Sequence, residues 1–295
     1  MLDHLIRGLM RPFDRALRTV VPKDAPPPTV HLRSLGTAGF VVTHVETQHT
    51  VVIDPYVTRS GAWTTVARPL QPDTAAIERF IPRADDVLIG HAHHDHILDA
   101  PDLCRRTGAR LIGSPAACMV GRAAGLPEAQ LLATRGDEDV QAGPFVARGL
   151  PSRHGRVYFN RVPLAGDITA PPPWPPRMRD LRHGQVLNWH LRAPGLPSIV
   201  HIDSADFIDD ALRDHPCDIL CLCAIGRHAR PDYTETALRL LKPRWVIPCH
   251  WDLFFGPLEW PSVELPGCDL SGFIDEIRAH GATPIVLDLM DSWAF

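Results

Sequence analysis

The segment Gly90-His91-Ala92-His93-His94-Asp95-His96 constrains this chain more than any other. Its pattern, His-x-His-x-Asp-His, is one that chance places in a chain of this make-up roughly 0.004 times. Imidazole nitrogen and carboxylate oxygen are natural ligands of zinc and similar divalent ions. Four such groups within six residues cannot all serve one tetrahedral site that keeps a water. Side chains on a tight turn also point in different directions. Two adjacent ions sharing one loop satisfy both constraints. A short buried strand is expected at Asp86–Gly90, just before the loop. Open α/β sheets place their ligands beyond the C-terminal ends of strands, so the loop belongs at a sheet end.

The same rule nominates three more ligands. His154 follows an expected strand at Phe145–Leu150, Asp203 follows Ser198–Ile202, and His250 follows Arg244–Pro248. β-Branched runs at Val30–Leu35, Phe40–Val45 and Thr50–Ile53 predict three strands near the start. A loop over 57–73 and a helix at Thr74–Phe80 follow. A helix from Ile97 to Arg106 and a strand at Arg110–Ile112 come next. Ser114-Pro115 supplies an N-cap and first residue for another helix. Gln185–Leu191 and Ser198–Ile202 read as a hairpin. Helices at Ala205–Asp214, Tyr233–Leu241 and Gly272–His280 alternate with strands at Asp218–Cys223, Arg244–Pro248 and Pro284–Leu287. Val51-Val52-Ile53-Asp54 and Val200-His201-Ile202-Asp203 form a faint repeat, each closing a hairpin on Ile-Asp. Two similar halves would fit one sandwich of two sheets.

Composition excludes several classes. With 295 residues, 45% hydrophobic and a net charge of −4, the chain is neither disordered nor a non-specific polyanion binder. No specific nucleic-acid partner is expected. Seven cysteines without a CxxC pair read as reduced, buried thiols of a cytoplasmic protein. No apolar run is long enough to span a bilayer. Arg7, Arg11, Arg15 and Arg18 interrupt any signal-peptide core. Residues 1–21 instead carry Leu2, Leu5, Ile6, Leu9, Met10, Phe13, Leu17 and Val20 on one helical face. This helix either packs on its own domain or a second copy, or contacts a membrane surface. Ala25-Pro26-Pro27-Pro28 reads as a stiff spacer. Residues 1–28 are thus an appendage, and 29–295 a single domain. The proline-rich stretch at 166–182 reads as an ordered loop bordering a pocket.

From about Val30 onward, the motif resembles the metal-binding signature of the metallo-β-lactamase superfamily. That resemblance implies an α/β fold, an αββα sandwich of two mixed sheets flanked by helices. It implies that His91, His93 and His154 hold one ion, that Asp95, His96 and His250 hold another, and that Asp203 bridges them. Leu35-Gly36-Thr37-Ala38-Gly39-Phe40 and Ile53-Asp54-Pro55 are similar to the opening of the L-ascorbate-6-phosphate lactonase and N-acyl-phosphatidylethanolamine phospholipase D branch. Leu222–Gly226 and Val246–His250 look like that branch's last core strands. Two positions depart from the pattern. Ile202, not glycine, precedes Asp203, and His94 adds an imidazole beside the ligands.

The expected chemistry is hydrolysis of an ester, lactone or phosphodiester by a hydroxide shared between two divalent ions, zinc first, manganese or iron as alternatives. Asp95 and Asp203 are the catalytic candidates, with Asp95 steering the nucleophile or moving a proton. Asp54 either supports the ligand loop or closes the turn before Pro55. A small-molecule or lipid-like substrate is expected. Arg59, Arg68 and Arg227 could grip an anionic group, and Trp251, Phe254 and Phe255 could line an apolar wall, though each such residue taken singly is more often a packing or surface residue; Trp63 and His228 sit on neighbouring loops. His183, His190 and His201 receive no role. An iron-dependent redox enzyme on the same fold and a membrane-associated metal-binding protein are the alternative readings, and a homo-oligomer stays open.

Overall fold

Short apolar runs become two seven-stranded sheets in the computed structural model, which describes residues 2–19 and 28–295. The first half supplies β1 (Val30–Gly36), β2 (Gly39–His44), β3 (Thr50–Ile53), β4 (Asp86–Leu88), β5 (Arg110–Gly113) and β6 (Leu131–Ala133). The second supplies β7 (Asp139–Ala142), β8 (Phe145–Ser152), β9 (Val186–Arg192), β10 (Ile199–Ile202), β11 (Ile219–Cys223), β12 (Trp245–Cys249), β13 (Thr283–Pro284) and β14 (Ser292–Ala294). One sheet runs β14-β1-β2-β3-β4-β5-β6 and the other β13-β12-β11-β10-β9-β8-β7.

Period-two alternation explains the layers. On β2, Phe40 and Val42 face the space between the sheets, while Val41 faces outward; on β3, Val51 and Ile53 face in and Val52 out. The inner layer meets Phe145, Leu187 and Trp189 of the opposite sheet. The outward residues meet α3 (Thr74–Phe80), α5 (Ala100–Thr107) and α6 (Pro115–Ala123) through Ile77, Leu103 and Cys118. Behind the second sheet, α8 (Tyr233–Leu241) and α9 (Leu270–Ala279) bury Leu241, Phe273 and Ile277. The chain is therefore an αββα sandwich of two mixed sheets, as expected.

The Ile-Asp repeat has a structural counterpart. β3 and β10 are each the fourth strand of their sheet. Each pairs antiparallel with the preceding neighbour and parallel with the following one. Asp54 and Asp203 thus leave equivalent central strands.

Several boundaries differ from the sequence reading. The N-terminal helix is not a continuous segment to residue 21. α1 covers only Leu2–Gly8, and a single 3-10 turn follows at Arg15–Leu17. Gly8 weakens the helix and Pro12 cannot continue it. Val20, Val21 and most of the proline spacer lie outside the described residues. The loop over 57–73 contains α2 (Ala62–Ala67). The helix expected from Ile97 divides into α4 (His94–Ile97) and α5: Leu98 is the C-cap of the first, and Asp99 is the N-cap of the second, which has Pro101 in its first turn. The helix expected at Ala205–Asp214 shrinks to α7 (Asp209–Leu212), and the last expected strand to Thr283–Pro284. The 166–182 stretch is tied down, with Leu70 N–H donating to Pro176 O at 2.7 Å.

Candidate metal centre

Five strand ends converge on one edge of the sandwich. Asp54 follows β3, the His91–His96 loop follows β4, His154 follows β8, Asp203 follows β10 and His250 follows β12. Asp54 and His250 both adopt the left-handed backbone region, at φ 45° and φ 53°. Non-glycine residues accept such strain where surrounding bonds fix it. Asp54 N–H donates to Leu88 O (3.0 Å) and His250 N–H to Thr37 O (2.6 Å).

The structure brings all seven sequence-nominated ligands together. His91, His93 and His154 form one donor group, Asp95, His96 and His250 a second, and His91, His96 and Asp203 a third; donor atoms within each group lie within 4.8 Å of one another. The first two groups share no residue, and the third takes one histidine from each and adds Asp203. His91 Nδ1 sits 2.6 Å from Asp203 Oδ2, and His250 Nε2 lies 3.3 Å from Asp95 Oδ2.

Supporting bonds orient the imidazoles. His96 Nδ1 is 3.0 Å from Asp54 Oδ2, and His154 Nδ1 donates to Gly155 O at 2.7 Å. With the proton on Nδ1 in each ring, Nε2 keeps its lone pair for a cation. The other Asp54 oxygen accepts Gly90 N–H at 2.7 Å, so one carboxylate braces both ends of the ligand loop. Asp54 thus takes the supporting role, one of its two expected readings.

Electrostatics fit a divalent cation. Burial, then the neighbouring Asp203 carboxylate, push the Asp54 pKa well above the ordinary carboxylate range. Burial also works to raise Asp95, but His96, His94 and His250 outweigh it and hold it well below that range. Burial, reinforced by neighbouring imidazoles, drives His91, His93 and His96 well below the usual histidine value, so they stay neutral. Neutral imidazoles are the form that binds metals. Buried His93 Nε2, His250 Nδ1 and Asp203 Oδ1 have no hydrogen-bond partner. Unpaired buried polar atoms beside clustered carboxylates are costly, and a cation among them removes that cost.

The remaining nominees separate. Phe254 and Phe255 line a cavity of about 420 Å³ above the donors. Trp251 does not; it is buried and stacks on Phe13, with ring centroids 4.8 Å apart. Arg59 and Arg227 are not available to grip a substrate. Arg59 is buried with Nη2 donating to Asp252 Oδ2 at 2.7 Å, and Asp252 Oδ1 accepts Thr37 N–H, so the pair fixes the loop after His250. Arg227 is buried over Phe273 and bonds Glu276 and the Cys268 carbonyl. Arg68, Trp63 and His228 are exposed and do not line the cavity.

His183 and most of the cavity wall went unread in the sequence, whereas His94 was read as an imidazole beside the ligands. His183 lies against His154 and His93, with centroids 5.7 and 5.9 Å away. His94 is buried between Tyr56 and Phe254 and belongs to none of the donor groups. The cavity wall is Ile6, Met10, Val157, Leu164, Ile225 and Leu253, besides the two phenylalanines. No lysine or arginine lines it among the described residues.

No family model matches the chain. A UPF0173 metal-dependent hydrolase of Anaeromyxobacter sp. (strain K) is 27% identical over 229 residues, covering 74% of this chain and 73% of that protein. Igni18, a novel metallo hydrolase from the archaeon Ignicoccus hospitalis, superposes with TM-score 0.59 at 21% identity, covering 90% of this chain and 98% of its own. CmlA, a diiron β-hydroxylase from Streptomyces venezuelae, superposes with TM-score 0.57 at 15% identity, covering 92% of this chain and 55% of its own. The likeness to solved structures shows that the sandwich is the metallo-β-lactamase fold. Proteins named hydrolase and hydroxylase share it, so activity has to be argued from the site.

Proposed function

We propose that this chain is a metal-dependent hydrolase that holds two divalent ions and cleaves an ester or lactone of an apolar, uncharged substrate. The observation that carries the reading is the meeting of three His/Asp donor groups at the floor of an apolar cavity. The similarity to a protein named as a metal-dependent hydrolase supports it. In this reading His91, His93 and His154 would hold one ion and Asp95, His96 and His250 the other, with Asp203 available to both through its group with His91 and His96. Bound divalent ions, zinc foremost, would supply a water-derived nucleophile at neutral pH and Lewis-acid polarisation of the substrate oxygen. Asp54 keeps His96 oriented through Nδ1. Asp95, ionised among imidazoles, would stay a carboxylate and steer the nucleophile by accepting a hydrogen bond from it. The apolar wall excludes water and positions the acyl part of the substrate.

The lining narrows the substrate. A phosphodiester brings a full negative charge, and neither lysine nor arginine waits for it in the cavity. The likeness of Leu35–Phe40 and Ile53-Asp54-Pro55 to the lactonase and N-acyl phospholipase D branch enters the proposal as a relation of sequence only, because both of those substrates carry phosphate. A phosphorylated sugar lactone suits this wall poorly; an acyl chain suits it well.

The test is a series of p-nitrophenyl esters of rising acyl length, compared with bis(p-nitrophenyl) phosphate, using zinc-, manganese- and iron-loaded protein. Each methylene that enters the cavity should raise kcat/KM about fourfold until the space is filled. The phosphodiester should be at least about tenfold worse than the best ester. Preference for the phosphodiester would overturn the substrate assignment. Oxygen uptake by iron-loaded protein without ester hydrolysis would overturn the hydrolytic reading in favour of redox chemistry.

A further inference from the structure

The segments that form the cavity wall also turn apolar side chains outward. On α1, Ile6 lines the cavity and Met10 lines it just beyond the helix end. Leu5 on α1 and Leu9 just past its end are 64% and 77% exposed. On the loop after His154, Val157 and Tyr158 line the cavity while the next residue, Phe159, is 94% exposed. Its φ of 60° marks a tight protruding tip. α2 extends the surface: Asp3 Oδ1 accepts Ala62 N–H at 2.8 Å, joining α2 to α1, and Trp63 and Val66 on α2 are exposed. Leu5, Leu9 and Phe159 are exposed beside residues that line the cavity, and Trp63 and Val66 are exposed on the helix bonded to α1; large exposed apolar side chains of this kind mark an interaction surface.

Charge identifies its kind. Residues 153–164 hold Arg153, Arg156 and Arg161 and no acidic residue, in a chain whose net charge is −4. All three arginines are exposed, and none pairs with a carboxylate among the described residues. α1 is anchored on its other side: Arg7 Nη1 donates to Phe255 O at 3.0 Å, and the His4 ring packs tilted against Trp260 with centroids 4.2 Å apart. A fixed amphipathic helix, a protruding aromatic tip and unpaired arginines match the interfacial layer of an anionic bilayer. No described helix is long and apolar enough to cross one.

We propose that this face docks on the surface of an anionic lipid bilayer, with Leu5, Leu9 and Phe159 inserted and Arg153, Arg156 and Arg161 at the headgroups. The cavity then opens toward the acyl chains, and a lipid-derived ester reaches the metal centre without crossing water. The docking surface stands apart from the hydrolytic reading; only the lipid character of the substrate rests on it.

Flotation of the full chain with phosphatidylcholine vesicles, with and without about 30 mol% phosphatidylglycerol, tests it. The protein should float with the anionic vesicles and poorly with the neutral ones. Leu5→Ser/Leu9→Ser, Phe159→Ser and Arg156→Glu/Arg161→Glu should each lower the bound fraction about tenfold. Metal content and melting temperature should stay unchanged, and Asp203→Ala should float like the parent. Failure to float with anionic vesicles would overturn the proposal, as would flotation indifferent to all three variants. A dimer that the serine variants dissociate, without vesicle binding, would assign the face to a second copy and overturn it equally. Because flotation needs no turnover, a failed hydrolase assay leaves this result standing, and the reverse.

Discussion

Asp203→Ala should lower ester hydrolysis about a thousandfold or more while the fold survives. Asp203 is the one residue that joins the two separate histidine groups, through the set it forms with His91 and His96. Its removal should cost about one of two bound ions. The stability argument has a definite sign. Asp203 raises the pKa of Asp54 by charge repulsion, second only to burial. Deleting it relieves that repulsion, so the metal-free variant should melt close to the metal-free parent. The parent should gain melting temperature on adding zinc, since an ion bound only by the folded state stabilises it. The variant should gain much less. A variant that retained activity and the zinc-dependent shift would remove Asp203 from the centre.

Gly90→Ala should be nearly as damaging for activity, by a different route. Gly90 ends the segment between β4 and the ligand loop, and its amide is held by Asp54. A Cβ there would run into the Asp203 carboxylate and stand 3.1 Å from Asp54 Oδ2. Both contacts are with short, buried side chains that have nowhere to retreat. One added methyl should displace Asp203 and loosen the brace on His96. Misplacement by about 1 Å costs on the order of a hundredfold in rate, and overpacking about 1–3 kcal/mol of stability. Kinetics with a short ester, alongside urea unfolding, measures both. Near-parental activity would mean that the close approach of Gly90 to Asp203 is not needed for turnover.

The ligand loop was legible because its chemistry is local: four donors in six residues need no distant information. Asp203 and His250 were legible because each directly follows a strand whose apolar run announces itself, and His154 because it stands two residues past the end of β8. For Arg59 and Arg227 the packing reading, the commoner one for such residues, holds, but sequence could not show what they pack on. The carboxylate that neutralises Arg59 lies 193 residues away, so nothing near it in sequence announces burial. The cavity wall was hidden likewise, since Ile6 and Leu164 meet only in the folded chain. Among the strands, β7 was missed because Asp139-Val140-Gln141-Ala142 alternates too briefly, and α2 because Thr64, Thr65 and Val66 are poor helix formers. β14 exists only through its pairing with β1, where Trp293 meets Leu32. Asp54 could have been read more firmly from the Ile-Asp repeat, which placed it on the strand equivalent to that of Asp203.

The most direct test is a titration of metal-depleted protein with zinc, following bound metal and hydrolysis of a medium-chain ester together. The account predicts that binding saturates at about two ions per chain and that most of the activity appears with the second. Full activity in chelator, or saturation at a single ion with full activity, would contradict it.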